Sequence, residues 1–142
     1  MRIRMIILAA ACILANISAA SAKQEIVLDV LRIAGKDMAA VSEYLGKPIE
    51  CSPVKQGQKC AYTKAETEIV YIDGLADWIT IEGIDDVAFE ATAIQSLGFA
   101  ESKPSFKNGF SLRWDGIEDL MEVTIFKGAS RADYAYIKVK TS

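Results

Sequence analysis

Four short segments of this chain recur, in the same order, about fifty residues further on, and tandem similarity of that kind constrains architecture before local propensity does. "AAVSEYLGKP" at 39–48 parallels "ATAIQSLGFA" at 91–100, so that Leu45-Gly46 falls on Leu97-Gly98 at an offset of 52. At the same offset Cys60-Ala61-Tyr62 falls on Leu112-Arg113-Trp114. "EIVYIDG" (68–74) parallels "EVTIFKG" (122–128), shifted by 54, and "ADWITIE" (76–82) parallels "YAYIKVK" (134–140), shifted by 58. A growing offset is what small loop insertions produce.

Each half reads as a helix followed by strands. Asp37 can cap a first helix running to Leu45, with Met38, Val41 and Leu45 on one side, Gly46 as the left-handed stop and Pro48 blocking continuation. In the second half Phe89, Ala93, Ile94 and Leu97 form the apolar stripe and Gly98 the stop. "EIVYIDGLADWITIEG" reads as a hairpin turning on Asp73-Gly74, the dipeptide that type I′ turns prefer. "QEIVLDVLRIAG" (24–35) fits a short leading helix or an extended strand. The expected architecture is therefore α+β. One domain, 23–142, holds two tandem helix–β-meander repeats (about 36–83 and 88–140), with an antiparallel sheet and helices packed on one face.

Alternation along such strands separates a core face from an outer face. In the second hairpin Val123, Ile125, Ile137 and Val139 point one way, and Glu122, Thr124, Phe126, Tyr134, Tyr136 and Lys138 the other. Transferred to the first half, the pattern makes Val70, Ile72, Ile79 and Ile81 core and places Ile69, Tyr71, Trp78 and Thr80 outside. The outer face then carries Tyr71, Trp78, Phe126, Tyr134, Tyr136 and Lys138. Tyr and Trp are the residue types that concentrate at interface hot spots, so these six are the candidate partner-binding residues, with Lys138 and Glu122 setting polar register.

The chain opens with Arg2 and Arg4, an apolar stretch from Met5 to Ile17, and Ala20-Ser21-Ala22, the small-x-small pattern a signal peptidase accepts. The stretch is too short for a spanning helix, which takes about 20 apolar residues. The reading is a signal peptide over 1–22, cleaved after Ala22, and a periplasmic or secreted chain of 120 residues. A lipoprotein cut before Cys12 is the rival, and it would leave the unusually greasy start "CILANISAA". The remaining chain has 14 basic and 19 acidic residues, a net charge of −5. No basic run suggests nucleic acid.

Past the leader only Cys51 and Cys60 remain. Eight intervening residues do not make the close Cys-x-x-Cys spacing of a redox pair. A zinc site wants about four ligands, and the chain has no histidine. In an oxidising compartment the pair reads as a structural disulfide, tying the loop after the first helix to the start of a strand.

The helix with "LGKP", followed by a meander containing "DGLADWITI", resembles the SmpA/OmlA (BamE-like) envelope domain. Doubling of that unit, with its small disulfide, is similar to the β-lactamase inhibitory protein fold, in which two repeats form a curved sheet whose aromatic concave face grips an enzyme. The second half lacks a cysteine pair and departs from that pattern. The resemblance implies a non-catalytic protein-binding module, in its specific version an inhibitor of a hydrolase. The alternative it implies is an accessory of outer-membrane assembly.

A small cell-envelope enzyme is the third reading. A histidine-based nucleophile is excluded for want of histidine, and no Gly-rich phosphate loop appears. The acidic runs Asp73, Asp77, Glu82, Asp85, Asp86 and Asp115, Glu118, Asp119, Glu122 do not follow calcium-loop spacing. Asp73 fits a turn, and Asp85 or Asp86 the cap of the second helix. No metal, cofactor or catalytic residue is expected, and the partner expected is another protein.

Overall fold

The computed structural model describes residues 23–139; the expected leader lies outside the described residues. Among the described residues there are eight strands: β1 Glu50–Val54, β2 Gly57–Tyr62, β3 Thr67–Ile72, β4 Leu75–Ile81, β5 Phe106–Lys107, β6 Ser111–Asp115, β7 Glu122–Lys127 and β8 Ala132–Lys138. They form one antiparallel sheet in the order β1-β2-β3-β4-β8-β7-β6-β5. Two consecutive four-stranded meanders thus stand side by side, joined where β4 pairs with β8. Both edges are blunted, β1 by Pro53 and β5 by its two-residue length.

The expected α+β fold of two helix–meander units is overturned. The sheet dominates, and its cover is thin: one α-helix, Met38–Leu45, and short 3-10 stretches, notably Val30–Arg32 and Ala91–Leu97. The first helix starts as its sequence requires, with the Asp37 carboxylate accepting from the Ala40 amide at 2.9 Å. The second does not form. Ser96 Oγ donates to the Ala93 carbonyl at 2.6 Å and Thr92 Oγ1 to the Glu90 carboxylate at 3.0 Å, side-chain bonds that compete with helical ones. A segment of seven residues is also too short to hold an α-helix by propensity. Asp85 and Asp86 cap nothing; Glu90 precedes the 3-10 stretch without a side-chain cap. Residues 24–35 are neither a full helix nor a strand. They pass Leu28, Val30 and Ile33 into the core around the 3-10 turn.

The sheet's covered face is a set of apolar rows. One runs Cys60, Ile69, Ile79, Ile137, Val123, Trp114, and the next Tyr62, Thr67, Ile81, Ala135, Ile125, Leu112. Every residue in both rows is buried. Val41, Leu45, Ile94 and Leu97 close over them from the cover, each such side chain contributing about 1.5–3 kcal/mol when fully buried.

This register corrects the face assigned to β3. Ile69 and Tyr71 are buried, and Val70 and Ile72 are the partly exposed residues. A one-residue change of phase inverts a strand, and "EIVYI" is apolar at four consecutive positions, so its alternation gives no phase. Each meander also carries one bulge. Asp77 is inserted between the pairs Val70↔Trp78 and Tyr71↔Ala76, and Asp133 between Phe126↔Tyr134 and Lys127↔Ala132.

Cys51 and Cys60 form a disulfide, as the spacing suggested, but as directly opposed residues of the β1–β2 hairpin, with Cα atoms 4.1 Å apart. The bridge therefore ties strand to strand. Asp73-Gly74 makes the expected hairpin turn, with φ of 51° and 79°. Gly83 is required for a different reason: a Cβ there would lie 2.8 Å from the backbone of Ala65, itself left-handed at φ 53°.

Candidate partner-binding face

The uncovered side of the sheet gathers five of the six residues singled out in the sequence. Trp78 on β4 lies opposite Lys138 on β8, which lies opposite Glu122 on β7. The neighbouring row is Thr80, Tyr136, Thr124, Arg113 and Phe106. Beyond it Tyr134 and Phe126 are opposed and stacked, ring centroids 4.6 Å apart at 21°. Trp78, Phe126, Tyr134, Tyr136 and Lys138 are each partly exposed. They occupy the three central strands, where the rigid ladder fixes their spacing.

Tyr71 is not among them. It is 3 % exposed on the covered side, its hydroxyl 2.5 Å from that of Tyr62. Burial first, then the Tyr62 hydroxyl, holds the Tyr71 phenol far above its usual range. The residue is a core member with a satisfied polar end.

Asp77, in the sequence one acid of a run, is fully buried and ion-paired to the Lys138 ammonium. Lys138 Nζ also lies 5.4 Å from the centre of the Trp78 ring, within the range of a cation–π attraction. The bulge turns Asp77 out of the strand's alternation and lets it meet Lys138 from the adjacent strand. A sequence signal for this exists: the tripeptide Ala-Asp-aromatic occurs at 76–78 and again at 132–134, the two bulges.

Around this pair the face is polar as well as aromatic. Thr124 Oγ1 donates to Glu122 Oε1 at 2.6 Å. Burial, then the charges of Glu122 and Asp77, raise the Tyr136 phenol above its ordinary value. Trp78 Nε1 is buried and has no acceptor among the described residues. Arg113 stands 5.1 Å over the Phe106 ring, with its Nε 3.2 Å from Asp115 Oδ1 but misaligned for a hydrogen bond.

Other features lie elsewhere. An open groove of about 610 Å³ is lined by Ala91, Glu101, Ser102, Lys103, Pro104, Lys107 and Leu112; it holds one carboxylate rather than a facing pair. Asp85, Asp86, Asp115, Glu118 and Asp119 are exposed, and no cluster of three or more metal-ligating side chains occurs among the described residues. No helix among the described residues is long and apolar enough to cross a membrane. Comparison with protein-family models, with curated proteins and with solved structures returns no match to this chain.

Proposed function

We propose that this chain is a non-catalytic protein-binding module of the periplasm or the extracellular space, which docks its partner on the uncovered sheet face. One observation carries the reading: Trp78, Phe126, Tyr134 and Tyr136 stand together, partly exposed, on the three central strands. Aromatic side chains on a rigid support offer large contact area at small entropic cost, which is why they dominate interface hot spots. The Cys51–Cys60 disulfide suits an oxidising compartment. Inhibition of a hydrolase is the version implied by the resemblance noted in the sequence.

A photoreactive residue placed at Thr80, in the middle of the face, tests this. It should trap a defined partner that the same probe at Glu43 on the helix does not, and the adduct should vanish in the Trp78→Ala/Tyr136→Ala variant. Equal adducts in the parent and the double variant refute the reading. Fractionation of the trapped partner separates an inhibitor, whose partner is a soluble hydrolase, from an envelope accessory, whose partner is a membrane protein.

A further inference from the structure

Among the described residues, one acid of the uncovered face is left over once its ion pairs are drawn. Lys59 lies 3.8 Å from Glu68, Arg113 Nε lies 3.2 Å from Asp115, and Lys138 is bound to Asp77. Glu122 is directly opposite Lys138 in the β7–β8 register, but the ammonium turns to Asp77 on the other side. Among the described residues no salt bridge reaches Glu122, whose carboxylate accepts from Thr124 instead. Tyr136 stands one row away, in the negative field of Glu122 and Asp77, and the stacked Phe126–Tyr134 pair follows it.

A carboxylate that no salt bridge reaches among the described residues, its opposite ammonium taken by another acid, and that stands beside aromatic faces is matched by a guanidinium or ammonium: the charge pairs with the acid and the rings attract the cation. Resting on the docking reading above, we infer that the partner contacts this face with an arginine or lysine side chain carried on an apolar protein segment. Its charge meets Glu122, and its stem and apolar neighbours lie on Tyr136, Phe126 and Tyr134. A second copy of the chain is a poor occupant, because its own face would bring Glu122 toward the same acidic surplus.

The test uses a displayed random-peptide library selected on the purified chain, with the recovered peptides synthesised and their affinities measured. Peptides competing for this face should carry Arg or Lys among apolar residues. Their affinity should fall at least tenfold in Glu122→Gln, about the effect of losing one charged hydrogen bond, and should weaken with added salt. It should also be lost in Trp78→Ala/Tyr136→Ala. Peptides that depend on Trp78 and Tyr136 but lack a cation, or ignore Glu122→Gln, overturn the inference and leave the docking reading standing. If no peptide depends on Trp78 and Tyr136, both fall. A dimer in sedimentation equilibrium that dissociates in Trp78→Ala/Tyr136→Ala assigns the face to a second copy and overturns the cationic partner.

Discussion

Reduction of the Cys51–Cys60 bridge has a predictable cost. The bonded residues are nine apart in sequence and opposed across one hairpin, so the bond closes a ring of about ten residues in the unfolded chain. On the loop-entropy treatment a ring of that size is worth about 2.7 kcal/mol at 25 °C. For a domain of roughly this size, 1 kcal/mol shifts the melting midpoint by about 4 °C, which gives a loss of about 11 °C. The comparison that isolates this number is the oxidised against the reduced wild type in urea, since both keep the two sulfur atoms in place. The Cys51→Ala/Cys60→Ala variant should lose somewhat more, because Cys60 is fully buried and its truncation leaves a small cavity. The urea dependence should steepen on reduction as the unfolded chain expands. A loss below about 1 kcal/mol, at unchanged slope, would mean that β1 opens independently of the rest of the sheet, and would refute a ring-entropy origin.

Three further outcomes follow from other contacts. Because the folded-state phenol of Tyr71 is raised, its contribution is intact below the unfolded tyrosine pKa of about 10 and is lost as pH rises beyond it, by about 1.4 kcal/mol per pH unit. Urea midpoints at pH 9 and pH 11 should therefore differ less in Tyr71→Phe than in the wild type. Lys138→Met removes the ammonium paired with the buried Asp77 carboxylate and should cost about 3 kcal/mol in urea unfolding, with much of it recovered in Lys138→Met/Asp77→Asn; equal costs for the single and double variants would count against the pair. Gly83→Ala, whose added Cβ would press on the Ala65 backbone at 2.8 Å, should cost about 1–3 kcal/mol by thermal melting. Gly109→Ala, with open space around it, should be close to neutral.

Legibility in the sequence followed the strength of the local signal. The Asp37 cap, the Asp73-Gly74 turn and the phase of β7 and β8 could be read directly, because polar and apolar residues alternate cleanly there. The cysteine pair was legible as a bond, though its cross-strand placement required β1 and β2, short strands that "ECSPVKQGQKCAY" does not announce. Phe89 to Leu97 carries a helical stripe, yet its Thr and Ser side chains bond back to the chain locally and leave 3-10 turns. In β3 the unbroken apolar run hid the phase, so Tyr71 was read onto the wrong side. Asp77 was missed for a related reason: a bulge interrupts alternation, and a period-two pattern extended back from Ile81 and Ile79 carries residue 77 to the covered side, away from Lys138.

The seam between β4 and β8 has a consequence for how the molecule is completed. Strands adjacent in the middle of the sheet, β4 and β8, are separated in sequence by β5, β6 and β7, and β8 is the last of the described strands to be synthesised. Until residues 132–138 arrive, the β4 segment around Ile79 and Ile81 presents an open row of amides and carbonyls. During that interval the nascent first half is most exposed to pairing with another nascent chain, β4 against β4, so a translational pause before residue 132 favours tangled assemblies over the finished protein.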